Sequence, residues 1–281
     1  MWKRRSKLLF FSSAVISLFI LIQMGLYLIE KFSGVAVNNL FQHCTSLMQR
    51  LGVGWMAYLL DMLVVSTPLL AIWLITRQLY LSCRTYKKLA SLQDRRLSDD
   101  LNRAYNDGRD GFLVVSNVEP IALTMRFIRP RIVLSTGLLQ LLDDGELEAL
   151  IRHEIFHMKH RDPLKTFFMV MCSTVFWYVP ILKWSRKQYI TAREVLADSC
   201  AVEAMGSIEN LGSALLKLLR RNPAKRYSFT NASFAESSIN YRIQFLVDPQ
   251  VESSFRLPVT SLMMSLQVVA ALSILFIGEL Q

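Results

Sequence analysis

Long apolar runs without charges constrain this chain more than any other feature. Residues 8–29 form a charge-free run long enough to cross ~30 Å of hydrocarbon as one α-helix. A second run, residues 55–76, contains Pro68 and also Asp61, which lies either near the outer headgroups, as we expect, or in a functional intramembrane site. Residues 257–278 form a third. With 52% hydrophobic residues and a mean hydropathy of +0.31, the chain is too apolar for a typical soluble protein and predicts a multi-pass α-helical membrane protein.

Lysine and arginine are spread unevenly around these runs, and their positions predict the orientation. A basic stretch precedes the first run, the connection 30–54 carries only Lys31 and Arg50, and a dense basic stretch begins at Arg77. The positive-inside rule then places the N-terminus and the segment after Arg77 in the cytoplasm, with residues 30–54 outside. The same basic stretches beside the apolar runs account for the net charge of +10. We therefore expect a lipid bilayer, and no nucleic acid, as the partner of these basic residues.

The residues His153-Glu154-Ile155-Phe156-His157 spell H-E-x-x-H, the signature of zinc metallopeptidases. Two histidines four residues apart lie on one face of an α-helix and can hold one Zn²⁺ together. Glu154 is not a ligand in such a site, because it lies where it can take a proton from the attacking water. The alternative is an ordinary amphipathic helix with two histidines on its polar face. The chain has only four histidines, and two of them fall in the motif, which favours the zinc site.

Two neighbouring patterns support a metal site. Residues 144–161 predict a helix, because apolar residues recur at helical spacing behind an acidic start. Glu194 and Asp198 lie four residues apart on one face of a second predicted helix, residues 189–204, and offer candidates for a third ligand.

Other polar residues near the motif have simpler expected roles. We expect His160 to be solvated or an outer partner of the site, since it follows His157 by three residues. Asp162 precedes Pro163 and is expected to mark the end of the motif helix. The cysteines show no C-x-x-C spacing and predict free thiols; they are Cys44, Cys83, Cys172 and Cys200.

The apolar segment 164–182 lies between the motif and Glu194, and hydropathy alone predicts a transmembrane helix there. Metal–ligand bonds of ~2 Å require all ligands on one side of the membrane, so a single crossing would separate them. The segment is too short for two crossings at ~20 residues each. We therefore predict a non-crossing helix or a re-entrant hairpin bent near Pro180. A true span would require the zinc site to be wrong.

Three short stretches rich in Val, Ile, Leu and Phe predict strands at residues 111–116, 121–127 and 131–135, separated by turn-forming residues. Two or three antiparallel strands against the motif helix would make a small α+β catalytic domain. Residues 221–236 are polar and predict a loop.

The stretches HEIFHMKHRD and REVLADSCA, with the apolar stretch around residues 177–180 between them, resemble the membrane-embedded zinc peptidases related to the β-lactam-sensing receptors (BlaR/MecR type). IALTMRFIRPRIVLSTGLL, residues 121–139, is also similar to that family and to the heat-shock and CAAX-prenyl-protein membrane peptidases. The resemblance covers roughly residues 111–248. It implies a gluzincin site, a zinc peptidase site with a glutamate ligand. Its ligands would be His153, His157 and Glu194, with Glu154 as the base and Asp198 as the carboxylate that accepts an imidazole N–H.

The resemblance also implies roles outside the metal site. The strand at residues 121–127 would bind extended substrate by β-augmentation, although an ordinary sheet edge is the alternative. Arg242 lies in a segment similar to one of the heat-shock peptidases in which an arginine approaches the oxyanion, so we predict a catalytic role for it. The histidine that precedes the arginine in those enzymes is absent here. The large penicillin-binding sensor that follows the last helix of the receptors is expected to be missing, since the chain ends at Gln281.

These patterns predict a multi-pass α-helical membrane protein of the bacterial plasma membrane with a small cytoplasmic α+β gluzincin-like zinc peptidase domain. We expect two transmembrane helices within residues 1–77, the peptidase domain within 78–256 and a transmembrane helix within 257–281. The expected function is cleavage of a cytoplasmic or membrane-proximal protein in signalling, for example of a transcriptional repressor or of the chain itself. Quality control of membrane proteins and a non-catalytic receptor or scaffold are the alternatives. The sequence does not predict an oligomeric state.

Overall fold

The computed structural model describes residues 1–34, 46, 49–50, 52, 55–221, 241–246, 248 and 258–277. The predicted outer loop lies mostly outside these residues, as do His43, Cys44 and nearly all of the predicted loop at 221–236. The chain divides into two compact units. The sheet unit comprises Met1–Ser6, Gln78–Phe167 and Tyr189–Phe255; the apolar-helix unit comprises Lys7–Arg77, Phe168–Gln188 and Arg256–Gln281.

The first two apolar runs are helical. They lie within α1 (Trp2–Ser33) and α2 (Trp55–Ala90), and Pro68 stands inside α2. Among the described residues, two stretches are long and apolar enough to cross a membrane, Trp2–Ser33 and Asp61–Ala90. The third run also lies in a helix, α9 (Val259–Ile277). Its apolar stretch within the residues searched, Val259–Val268, is shorter than a membrane span.

The segment predicted as non-crossing is a helical hairpin. Helix α6 (Asp162–Val175) and helix α7 (Pro180–Met205) are joined by a short turn, and Pro180 occupies the first position of α7, where its missing N–H is harmless. Within the apolar-helix unit, the turn residues Phe176 and Val179 are buried in a core with residues of α1 and α2. Two helices with a turn between them therefore occupy the segment in place of one continuous helix. Their depth in a bilayer stays a prediction.

Asp61 is paired, within the apolar-helix unit, with two residues of α1. Its carboxylate lies 2.6 Å from Lys31 Nζ and accepts a hydrogen bond from the Tyr27 hydroxyl. Pairing with a cation reduces the free-energy cost of an acid inside an apolar helix pair. The contacts link α1 to α2 and give Asp61 a structural role, while its position near the headgroups stays a prediction.

The three predicted strands are present as β1 (Phe112–Val115), β2 (Ala122–Met125) and β3 (Arg131–Ser135). They form a mixed sheet in the order β1-β3-β2, in which β2 is antiparallel to β3 but β1 is parallel to it. The expectation of a wholly antiparallel sheet was therefore wrong.

Side-chain bonding of the connection between β1 and β2 explains the parallel pair. Ser135, at the end of β3, accepts a hydrogen bond from Ile121 N (2.8 Å) and donates one to Glu119 O (2.7 Å). The connection is thereby held across the end of β3, so β2 starts on the opposite side of β3 from β1. This puts β2 at one edge of the sheet, as predicted.

The other edge strand, β1, is covered by polar side chains of α3 (Arg95–Tyr105). Asn102 accepts hydrogen bonds from Gly111 N and Phe112 N, and Ser98 Oγ accepts one from Val114 N. Among the described residues no strand pairs with the outer edge of β2. The sheet therefore presents one open edge, and it belongs to β2.

After the sheet, the chain continues through α4 (Thr136–Leu141), α5 (Asp144–His160) and, beyond the hairpin, α8 (Glu209–Arg221). Helix α5 carries the H-E-x-x-H motif and packs against α8. At the start of α5, the buried Glu146 carboxylate accepts hydrogen bonds from Lys217 Nζ (2.6 Å) and Ser213 Oγ (2.5 Å). These contacts fix the N-terminal end of the motif helix to α8.

Candidate metal centre

Helix α5 begins and ends through local signals that are visible in the sequence. Asp143 is the N-cap and forms a reciprocal capping box with Glu146. Arg161 ends the helix with a left-handed backbone (φ 52°). The predicted helix at 144–161 is thus confirmed to within one residue, and His153 and His157 lie on one face of it.

Three side chains converge on one point within the sheet unit. His157 Nε2 lies 3.1 Å from His153 Nε2, and Glu194 of α7 places its carboxylate oxygens 3.7 Å from His153 Nε2 and 3.6 Å from His157 Nε2. Their ligand atoms all lie within 4.8 Å of one another. A tetrahedral zinc ion with bonds of ~2 Å separates its ligands by roughly 3.3 Å. The donor set and its spacing therefore fit a zinc ion.

The second nitrogen of each histidine faces a carboxylate. Asp198 Oδ1 lies 2.9 Å from His153 Nδ1, and Asp162 Oδ2 is hydrogen-bonded to His157 Nδ1 at 2.8 Å. A carboxylate on Nδ1 orients the ring and leaves Nε2 free to bind a metal. Asp198 lies within reach of the predicted role, acceptance of an imidazole N–H, and that role stays a prediction. Asp162, by contrast, had been expected only to mark a helix end, and the left-handed turn at Arg161 instead directs its carboxylate back toward His157.

A buried arginine holds each of these carboxylates in turn. Arg242 donates to both oxygens of Asp198 (2.7 and 2.6 Å), and its Nη1 lies 2.8 Å from a Glu194 oxygen. Arg193 donates to Asp162 from Nε (2.9 Å), and its guanidinium lies 4.6 Å from the centre of the Phe156 ring. Each histidine thus ends an Arg–Asp–His chain. The catalytic role predicted for Arg242 stays a prediction, since its described contacts are to carboxylates that orient the site.

These contacts set the protonation of the metal-free site. Burial alone would lower the pKa of His157, but its hydrogen bond to Asp162 and the charge of Glu194 raise the pKa to about 9. Burial would raise the pKa of Asp198 and of Glu194, yet the Arg242 guanidinium and the nearby histidines hold both pKa values below their usual range. Without metal, the carboxylates are therefore ionised and His157 is protonated at neutral pH.

Glu154, the predicted base, contacts the edge strand. Its carboxylate is buried and accepts a hydrogen bond from the Thr124 hydroxyl of β2 (Oγ1 to Oε2, 2.7 Å). Thr124 also donates to the Glu154 backbone carbonyl at 3.2 Å. Sequence reasoning missed Thr124, because no motif marks a strand residue that faces a helix. The open edge of β2 and the candidate base are therefore directly connected.

His160 takes no part in the cluster. It is exposed, and its Nδ1 bonds the Phe156 carbonyl oxygen at 2.8 Å. The expectation that it is solvated agrees with this position.

One protein-family model matches most of the chain. The model of one family, described as BlaR1 peptidase M56, matches residues 28–246, which contain the whole cluster. The chain belongs to the BlaR1 peptidase M56 family. The resemblance of the motif stretches to the sensing receptors is thereby confirmed.

Parts of this M56 chain are similar to individual proteins from other organisms. Over 47% of the chain it is 24% identical to the regulatory protein BlaR1 of Bacillus licheniformis, and over 34% it is 32% identical to a protease HtpX homolog of Methanothermobacter thermautotrophicus. Over 32% of the chain it is 27% identical to the methicillin resistance mecR1 protein of Staphylococcus aureus. The matched parts cover 22%, 46% and 16% of these relatives, so the chain spans less than half of each.

Asp162→Asn should lower the zinc affinity of this M56 chain by about 10- to 100-fold, because an amide orients the His157 ring less strongly and removes a negative charge. Competition with a chromogenic chelator would measure it. Asp198→Asn is the matched change on the other histidine and should weaken binding to a similar degree. An Asp162→Asn protein with unchanged affinity would show that Asp162 does not orient His157 for metal binding.

Proposed function

We propose that this chain is a membrane-bound zinc endopeptidase. His153, His157 and Glu194 would hold the metal, and Glu154 would be the catalytic base. The observation that carries the proposal is the convergence of three ligand atoms while both outer imidazole nitrogens face carboxylates. Membership in a peptidase family supports it.

When bound, zinc supplies a Lewis acid that polarises a peptide carbonyl and makes water acidic near neutral pH. The side chains of the protein transfer the proton and align the ligands. Glu154 takes a proton from the attacking water and can return it to the leaving amine. The Thr124 hydroxyl holds the Glu154 carboxylate in place, and the Arg–Asp–His chains keep the ligands aligned before the substrate arrives.

The open edge of β2 is the proposed substrate site. An extended peptide paired with this edge would add a strand to the sheet, with backbone hydrogen bonds supplying affinity. Because Thr124 lies in β2 and bonds Glu154, such a peptide would run past the candidate base. This arrangement favours unfolded or extended protein segments as substrates.

The proposed membrane arrangement is multi-pass. Helices α1, α2 and α9 would cross the bilayer, the α6–α7 hairpin would enter it without crossing, and the sheet unit would face the cytoplasm. The requirement that all three ligands share one side supports the hairpin, and the basic residues after Arg77 support the orientation. The chain would thereby act on cytoplasmic or membrane-proximal proteins.

Regulated proteolysis in signalling is the proposed role, with a transcriptional repressor or the chain itself as substrate. Similarity to relatives that are named a regulatory protein and a resistance protein supports the signalling role. A non-catalytic scaffold is disfavoured because every residue of the H-E-x-x-H motif and its glutamate ligand is present.

Metal removal tests the proposed activity. The purified chain in detergent should contain about one zinc ion and should cleave an unfolded protein such as reduced casein. A strong chelator should abolish cleavage, and added zinc should restore it. A preparation that neither contains nor takes up zinc, or that cleaves equally well with chelator, would contradict the proposal.

Cysteine labelling tests the proposed orientation. In a cysteine-depleted background, Ala204→Cys, at an exposed position near the end of α7, should resist a membrane-impermeant thiol reagent in intact cells and react after permeabilisation. Phe32→Cys, exposed near the end of α1, is the control and should react in intact cells. Labelling of Ala204→Cys in intact cells would put Glu194 outside.

A further inference from the structure

The turn between β2 and β3 carries the most exposed large apolar side chain of the sheet unit's described residues. Ile128 is 82% exposed, and its neighbour Arg129 is also exposed. A single exposed isoleucine is common on protein surfaces. This one differs because it stands at the tip of a turn flanked by arginines, in the sequence Arg126-Phe-Ile-Arg-Pro-Arg131.

Contacts on both sides of the tip hold the turn in shape. Arg126 has a left-handed backbone (φ 72°), and its guanidinium lies 4.6 Å from the centre of the Tyr86 ring. Arg131 donates to the Tyr86 hydroxyl at 2.7 Å, and Phe127 stacks on Phe167 with ring centres 5.1 Å apart. These contacts fix the conformation of the turn and leave the Ile128 side chain at its tip exposed.

The turn is rich in arginine, and Arg129 at its tip is exposed. Tyr86, which both Arg126 and Arg131 contact, lies on α2 in a basic stretch of the sequence whose other members, Arg84, Lys87 and Lys88, are exposed. Asp110, an exposed acidic residue, is paired with Arg131 at 2.6 Å. An apolar tip set among cations is complementary to an anionic phospholipid surface, where headgroups bind the cations and the boundary region accepts the aliphatic group.

We propose that the β2–β3 turn docks onto anionic phospholipid headgroups and inserts Ile128 into the boundary of the bilayer. The proposal rests on the membrane location in the proposed function and goes beyond it by naming the contact. It also narrows the substrate. Thr124 lies four residues before Ile128 and so at most ~14 Å from it along the chain. Because Thr124 bonds Glu154, the peptide bond cleaved would lie close to the bilayer, in an extended segment beside a membrane anchor.

Depth measurements on the full chain in lipid nanodiscs test the docking. Ile128→Cys in the cysteine-depleted chain would carry an environment-sensitive fluorophore. Val118→Cys, in the connection that precedes β2, is the matched control because Val118 is an aliphatic residue of similar exposure, 79%, before the opposite end of β2. With phosphatidylglycerol present, the Ile128 probe should shift to shorter wavelength and be quenched by brominated lipid, whereas the Val118 probe should do neither.

Charge dependence tests the headgroup contact. The shift at Ile128 should shrink in pure phosphatidylcholine nanodiscs and in the Arg129→Glu variant. The proposal would be overturned if the Ile128 probe were as exposed to water as the Val118 probe. It would also be overturned if the Ile128 probe were shielded from water but not quenched by brominated lipid, because that result indicates a protein contact. Equal insertion in both lipids would overturn the anionic recognition. Incorporation into nanodiscs and zinc content, measured on the same samples, report on the proposed function separately.

Discussion

Glu154→Gln should abolish proteolysis while leaving zinc bound. The amide has nearly the shape of the carboxylate and can still accept the Thr124 hydrogen bond, but it cannot take a proton from water. General-base catalysis is worth about 10²- to 10⁴-fold in rate, so we expect a loss of that size. Initial rates of casein cleavage and metal analysis of the same preparation would measure both effects.

The chain offers a matched control on the same helix. Glu148 is also a glutamate of α5, but it is partly exposed and pairs with Arg152 one turn away at 2.6 Å. Glu148→Gln should therefore retain full activity, since such a surface pair contributes little. If Glu154→Gln lost zinc together with activity, Glu154 would have a structural role. Normal cleavage by that variant would assign the base elsewhere.

His157→Ala should lose most of the bound zinc, whereas His160→Ala should keep it. The two histidines are three residues apart on α5, yet only His157 joins the cluster, while His160 is exposed and bonds a backbone carbonyl. Removing one of three protein ligands leaves too few for a stable tetrahedral site. Atomic absorption on the two purified variants would decide the assignment, and equal zinc contents would refute it.

The same site predicts how zinc affinity changes with pH. Zinc must displace a proton from His157, whose pKa in the metal-free protein is raised to about 9. Zinc affinity should therefore fall as the pH is lowered from about 9, and zinc uptake at neutral pH should release a proton. Isothermal titration in buffers of different ionisation enthalpy would count that proton. His160→Ala should release the same number.

Local patterns were sufficient to predict the motif helix, the three strands and the histidine pair, whereas the choice of Glu194 as third ligand came from the family resemblance. Capping residues, helical spacing and runs of β-branched residues determine structure over a few residues, so they can be recognised in a single sequence. The prediction that Asp162 marks a helix end is confirmed, but it is incomplete. Its acid-before-proline pattern indicates a helix end, and the helix does end there, but its bond to His157 depends on the left-handed turn at Arg161.

Features that depend on contacts between distant segments could not be predicted. The parallel pairing of β1 with β3 requires the connection to cross the end of β3, which Ser135 secures through bonds to residues far from it in sequence. The bond from Thr124 to Glu154 likewise joins a strand to a helix. Neither Thr124 nor Ser135 differs in kind from the many other hydroxyl residues of the chain.

The two Arg–Asp–His chains have a consequence for how the protein matures. The carboxylates of Asp162, Asp198 and Glu194 face the guanidinium groups of Arg193 and Arg242. Two guanidinium groups offset part of the free-energy cost of burying these acids, so contacts within the protein help to hold the site together. Small zinc domains of the finger type, by contrast, are unfolded until the ion binds. We therefore expect the chain to fold before zinc binds, which would let a cell insert it as an inert precursor and activate it by delivering zinc afterwards.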